Sequence, residues 1–225
     1  MNPPHPRLPA DGRRIGIIGK GGSGKSTTSG HLLAHWTGTG VPAVGLDADD
    51  PGEQEDGSLY TWSDVADLGA PVYRAPAASR IADEARRLTP EHGLALIDTG
   101  AWERKSGNRH FAVLAASDLV VLAVQPTPIE LERAGSVLKA VEQLEAVGVP
   151  APRLVLLMTM VNRSASSAKE TREDLEAAGF TVLRTEVPRS DGRDGYAQAF
   201  GRTPRVETGS PMALLADELL DWVTR

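Results

Sequence analysis

The sequence has no cysteine, so disulfides, thiolate metal sites and iron–sulfur clusters are excluded, and a reducing compartment is compatible with it. It has no apolar run near the roughly 18 residues that a membrane-spanning helix needs. Its opening stretch, Met1 to Asp11, is rich in proline and lacks the charged-then-apolar order of a secretory signal. Positive charge is in the minority: 24 basic residues stand against 30 acidic ones, a net charge of −6. That balance argues against a surface built as a whole for nucleic acid and leaves room for a local basic patch. What is present is a length of 225 residues, enough for one domain with a sizeable apolar core. We expect a loose tail over 1–12 and a single domain over 13–225.

Strand and helix signals alternate along the chain. Arg13 to Gly19 reads as a short apolar strand, followed by a glycine-rich turn and a helix from Ser26 to about Thr37 that Gly38 and Gly40 end. Ala43 to Asp47 reads as a second strand, which closes on Asp47-Ala48-Asp49-Asp50-Pro51. An acidic stretch with no basic residue continues to Asp67 and predicts an exposed loop leading to a short helix. Further strands are expected at Pro71 to Ala75, Leu94 to Asp98, Leu119 to Val124, Arg153 to Met160 and Thr181 to Arg184. Helices are expected at Ser79 to Leu88, Ile129 to Val147 and Ser166 to Ala178, and a last one at Ser210-Pro211 runs to about Val223. Such alternation predicts an α/β fold, a mainly parallel β-sheet with right-handed crossovers and helices on both faces.

Gly19 to Ser26 satisfies G-x-x-x-x-G-K-[ST] between a predicted strand and a predicted helix, the context that makes this phosphate-binding pattern credible. Glycines let backbone N–H groups approach phosphate oxygens, and the helix N-terminus adds partial positive charge. The expected ligand is ATP with Mg²⁺. Gly21, Gly22, Ser23 and Gly24 cradle the phosphates, Lys25 reaches the β- and γ-phosphates, Ser26 ligates the metal and Thr27 donates to the α-phosphate. Asp98 closes a buried apolar strand and fits the aspartate that holds the Mg²⁺ shell. The competing reading of these aspartates is solvated loop or helix-cap carboxylates.

A second lysine, Lys20, makes the segment Lys20-Gly21-Gly22-Ser23-Gly24-Lys25-Ser26-Thr27. It resembles the deviant Walker A box, KGGxGK[ST]T, of the partition and septum-site ATPases called ParA and MinD, members of the SIMIBI class of P-loop NTPases. The resemblance implies an ATP-dependent homodimer in which Lys20 crosses to the phosphates held by the other subunit. Asp47 and Asp49 resemble the family's D-x-D box, which implies a supporting metal-shell role for Asp47 and a water-orienting role for Asp49. Here Asp50 precedes Pro51, so Asp49 and Asp50 both remain candidates for the water. After Asp98 the family reads D-T-P, whereas this chain has Thr99-Gly100-Ala101-Trp102; the polar segment from Glu103 to Arg109 that follows is a candidate nucleotide switch. Val161-Asn162-Arg163 and Glu186-Val187-Pro188-Arg189 resemble segments flanking adenine, which implies base contacts from Asn162 and Pro188. Tyr196 to Gly201 resembles the helix that follows them, and Ser117 to Pro126 resembles a family strand with its trailing Q-P.

The ParA branch implies ATP-dependent binding to DNA without sequence preference, a ParB-like or other centromere-binding activator, a cytoplasmic, nucleoid-associated location and a role in plasmid or chromosome partitioning. Arg189, Arg193, Arg202 and Arg205 are the candidate phosphate contacts. A MinD-like membrane attachment is disfavoured, because the last helix carries Asp217, Glu218 and Asp221, the wrong charge for anionic lipid. Met212, Leu215, Leu219 and Trp222 are expected to pack on the core instead. The alternatives are a metabolic ATP-dependent ligase of the dethiobiotin-synthetase type, which shares the phosphate loop but does not need Lys20, and a MinD-like positioning ATPase. The short leader is read as leaving no room for an N-terminal helix-turn-helix domain.

Overall fold

The computed structural model describes residues 8–49, 58–102, 107–162 and 164–225. Their strands are β1 (Arg13–Gly19), β2 (Ala43–Ala48), β3 (Val72–Arg74), β4 (Leu94–Thr99), β5 (Leu119–Val124) and β6 (Arg153–Met158). Their helices are α1 (Lys25–Gly38), α2 (Ser58–Val65), α3 (Ile81–Leu88), α4 (Gly107–Ala116), α5 (Glu130–Ala146), α6 (Ser167–Ala177) and α7 (Pro211–Thr224). All strand pairs are parallel, in the order β3-β2-β4-β1-β5-β6. β1 therefore sits between β4 and β5, and the chain turns to opposite sides of it, which opens a crevice at the carboxyl ends of the strands.

The central strands are apolar on both sides because both faces are covered. Ile15, Ile17, Leu94, Leu96, Leu119 and Val121 face α1, α2 and α7, while Ile18, Val120, Leu122, Leu156 and Met158 face α5 and α6. Leu46 and Ile97 face α3 and α4. This is the three-layer α/β/α arrangement expected for parallel strands. α7 begins as its sequence predicts: Ser210 Oγ accepts from Ala213 N at 3.3 Å with proline at the first helical position. Met212, Leu215, Leu219 and Val223 are buried on one face of it, Trp222 is partly buried against the same cluster, and Trp36 of α1 donates its indole N–H to Ala216 O at 3.2 Å.

Several expectations are corrected. The loose tail is packed from Leu8 onward: Leu8 is buried in the core and its carbonyl lies 2.8 Å from His92 Nδ1. Helix α4 went unforeseen, although Val113 and Leu114 carry a helical apolar face. The strand at Thr181 to Arg184 is only a bridge between Val182 and Leu156. Leu183 N and Val187 N donate to Leu156 O and Met158 O, and the chain bulges between them, where the Glu218 carboxylate of α7 accepts from Arg184 N and Thr185 N, both at 2.9 Å. Tyr196 to Gly201 contains one 3₁₀ turn, Tyr196–Gln198, in place of a helix.

Burial pushes the Glu218 carboxyl up, but hydrogen bonds from Arg184 and Thr185, together with the Arg184 charge, outweigh it and hold it below its ordinary value. A depressed carboxylate adds stability above its unfolded pKa and loses it as pH falls through the folded value. Glu218→Gln leaves one N–H facing an amide NH₂. It is expected to cost about 2 kcal/mol, on the order of 5 °C in Tm at neutral pH, with the difference from the parent shrinking toward pH 3; thermal melts at pH 7 and pH 3 check this.

Candidate functional site

The loop after β1 turns into α1 at Gly24, whose φ of 79° suits a residue without Cβ. As N-cap it supplies no side-chain acceptor, and the first N–H groups of a helix have no intrahelical partner. Lys25, Ser26 and Thr27 at this end line an open cleft of about 480 Å³ together with Gly21, Gly22 and Gly24. Ser23 is buried and holds the loop closed, its hydroxyl donating to Lys20 O at 3.0 Å. Gln125, at the end of β5, donates to Gly22 O at 3.0 Å and fixes the loop from the other side.

Strand register brings the carboxylates to this loop. Asp47 of β2 pairs with Asp98 of β4, and Ile17 of β1 also pairs with Asp98. Asp98 is fully buried, accepting from Ser26 Oγ at 2.6 Å and from Ser29 Oγ at 2.8 Å. Ser26 and Ser29 are three apart on α1 and so share a helix face, a spacing from which Ser29 was legible but overlooked. Burial, then the charge of Asp47, pushes the Asp98 carboxyl up to about 7, against the pull of Ser26, Lys25 and Ser29. Asp47 is buried and also raised, first by burial.

Both Asp47 oxygens accept backbone N–H groups, Oδ1 from Asp49 at 2.9 Å and Oδ2 from Tyr60 at 2.7 Å. Asp47, expected in the metal shell, thereby ties the start of α2 and the turn after β2 to the sheet. Asp49 reaches the cleft beside Lys25, and Asp50 lies outside the described residues, as do Pro51 and 103–106 of the expected switch segment. Of that segment, Arg109 donates to Ala48 O at 2.8 Å and Ala75 O at 3.2 Å, which buttresses the end of β2.

The two lysines differ. Lys25 is buried, donates to Lys20 O at 3.0 Å, and is lowered from its ordinary pKa by desolvation against the opposing charges of Asp98 and Asp49. Lys20 does not line the cleft, and its Nζ is 3.8 Å from Glu130 Oε1. Glu130 is fully buried at the start of α5 and also pairs with Arg133, a partner for Lys20 that sequence reasoning missed.

Asn162 and Pro188 come together at the next strand end, because Val161 bridges to Pro188. Asn162 is exposed and its Oδ1 accepts from Ser164 N at 3.1 Å; Arg163 lies outside the described residues. The neighbouring Met160 reaches the loop, with its Cε 3.3 Å from where a Cβ on Gly24 would stand. The four arginines are exposed on the segment after Pro188. Arg189 pairs with Asp191 at 2.6 Å, and Arg202 lies 3.8 Å from Asp194 and donates to Arg193 O at 2.8 Å. The cleft wall also contains Ser58, Trp62, Ala101 and Phe200. The Trp62 and Phe200 rings lie 6.1 Å apart, a contact between distant segments that no local pattern announces.

No family model matches this sequence, and no curated protein matches it. Solved structures do. A cobyrinic acid a,c-diamide synthase from Mycobacterium smegmatis, with bound ATP analogue and magnesium, is 17% identical, covers 93% of this chain and 92% of its own, and has a TM-score of 0.68. A ParA family ATPase from Chlorobium tepidum TLS is 17% identical over 95% of this chain and 98% of its own, with a TM-score of 0.63. The MinD cell division protein of Aquifex aeolicus is 14% identical over 94% and 96%, also at 0.63. The six-stranded parallel sheet with its loop between β1 and α1 is thus the α/β P-loop NTPase fold of the ParA/MinD type.

Proposed function

We propose that this chain is a ParA-like ATPase that dimerises on Mg-ATP, binds DNA without sequence preference and is reset by slow, partner-stimulated hydrolysis in the service of DNA partitioning. The observation that carries the reading is one cleft in which Lys25, Ser26 and Asp49 line a glycine loop, with Asp98 hydrogen-bonded to Ser26 beneath it. Fold likeness alone does not choose among functions, since its neighbours include both a synthase and positioning ATPases. Lys20 beside the loop is what favours the ParA and MinD reading over a ligase.

The donors fit Mg²⁺. A serine hydroxyl and a buried carboxyl, 2.6 Å apart, are hard oxygen ligands, too few to enclose the ion and suited to one that keeps several waters. The upward push on Asp98 reflects a buried negative charge that a cation would relieve. When bound, the ion offsets charge on the β- and γ-phosphate oxygens. Lys25 binds the same phosphates, and Thr27 and the loop N–H groups position the nucleotide. Asp49 orients the attacking water, while Asp47 holds the Asp49 backbone in place. Lys20 acts on the second copy's nucleotide, where added positive charge favours the transition state. Asn162 and Pro188 flank adenine.

DNA contact is assigned to Arg189, Arg193, Arg202 and Arg205, and dimerisation doubles that patch. A ParB-like or other centromere-binding activator is the expected partner. Among the described residues no helix is long and apolar enough to cross a membrane. The test uses the full chain with Mg-ATP: sedimentation should report a dimer, and random duplex DNA should retain it at low salt and release it as salt rises. Retention indifferent to both ATP and salt refutes the DNA role, and a monomer at saturating Mg-ATP refutes the switch.

A further inference from the structure

We propose that Gly100 is a positioning residue for hydrolysis, the seat against which the Asp49 carboxylate is held; this rests on the ATPase reading above. β2 and β4 are neighbours with Ala48 paired to Thr99, so Asp49 and Gly100 are the first residues past a paired strand end. Asp49 is fixed from one side, since its N–H donates to Asp47 Oδ1 at 2.9 Å and Asp47 is itself anchored by Tyr60 N. From the other side its carboxylate lies on Gly100. A Cβ at residue 100 would overlap Asp49 Oδ1 and stand 3.1 Å from Asp49 Cγ.

The backbone at Gly100 has little freedom to recede. Thr99 donates its hydroxyl to Ile17 O at 2.9 Å, and Trp102 donates its N–H to Gly19 O at 2.8 Å, so the segment is pinned to β1 and the phosphate loop on both sides of residue 100. Asp49 is held by its backbone and free only about its side-chain torsions. Any side chain at position 100 therefore displaces the carboxylate while the sheet and loop stay put. Both residues line the cleft with Lys25 and Ser26, so the displacement occurs at the site and is felt by an attacking water. Absence of a side chain after Thr99 thus sets where the water-orienting group, Asp49, stands.

Gly100→Ala is the direct test, compared with Asp49→Ala and the double variant by steady-state ATP turnover, Mg-ATP affinity and thermal melts. Misplacing a catalytic group by about 1 Å costs on the order of 100-fold, so Gly100→Ala is expected to lower kcat by about that factor with the Mg-ATP Kd within about threefold of the parent, as expected when a transition-state interaction alone is lost. In the Asp49→Ala background the alanine should have no further effect on kcat. If Gly100→Ala melts lower than the parent, removing the Asp49 carboxylate should restore the melting temperature, because the overlap is then gone. Parent-like turnover in Gly100→Ala, or equal fold losses from it with and without the Asp49 carboxylate, overturns the role. A parent protein that binds no Mg-ATP, or binds it without turnover, overturns the ATPase reading and this role with it.

Discussion

Lys20→Ala is expected to abolish ATP-dependent dimerisation and to lower turnover by about 1,000-fold, the lower range of what a trans-acting cation contributes to phosphoryl transfer. Affinity of the monomer for Mg-ATP should hardly move, because Lys20 is outside the cleft lining and its ammonium faces Glu130 at 3.8 Å. The fold should survive, since buried Glu130 keeps its pairing with Arg133 and so avoids the 3–5 kcal/mol or so that isolating a buried charge costs. The combination separates Lys20 from Lys25, the proposed phosphate ligand, whose loss should weaken Mg-ATP binding itself. Sedimentation with Mg-ATP and single-turnover kinetics read the two effects independently. A Lys20→Ala protein that dimerises and hydrolyses like its parent would falsify the trans role.

Asp98→Asn is expected to act in opposite directions on activity and stability. With the carboxylate proposed to hold the metal gone, Mg-dependent turnover should fall at least about 100-fold, in keeping with several kcal/mol of metal stabilisation. Without ligand the variant should melt several degrees higher than its parent at pH 7.5, because the parent keeps a raised carboxyl buried beside Asp47. A carboxyl whose folded pKa of about 7 exceeds its ordinary value near 3.8 binds more protons folded than unfolded between those limits. Its contribution is therefore favourable at low pH and declines as pH rises through that window. The ligand-free parent should melt higher at pH 5 than at pH 7.5, and asparagine, whose carbonyl accepts from one of the two serine hydroxyls while its NH₂ donates to the other, should flatten that slope. Calorimetry at both pH values checks it; a variant less stable than the parent at pH 7.5 contradicts the electrostatic account. Sites of this kind keep function at the expense of stability.

The phosphate loop was legible because its chemistry is local: eight consecutive residues carry the glycines, the lysine and the hydroxyl, and β1 and α1 flank them as their patterns predict. Asp98 was legible for a similar reason, as the end of a continuous apolar strand. Asp47 was visible as a residue but not in its contacts, because its partners are backbone N–H groups of Asp49 and Tyr60 and a backbone amide leaves no mark in a sequence. The bulge that interrupts the expected seventh strand was hidden for the same reason, since Glu218 on a distant helix meets the backbone N–H groups of Arg184 and Thr185.

The sequence by itself determined the alternation of strands and helices, the nucleotide loop and the pair of lysines within it, since each follows from local periodicity or from adjacent side chains. Strand order it did not determine. Parallel strands joined by crossovers can neighbour one another in many orders, and only the packed sheet sets β2 beside β4. That placement pairs Asp47 with Asp98 and lays Asp49 on Gly100. Tertiary structure alone also turned Lys20 toward Glu130, because the two meet across 110 positions of chain, where burial and charge, not sequence spacing, decide who pairs with whom.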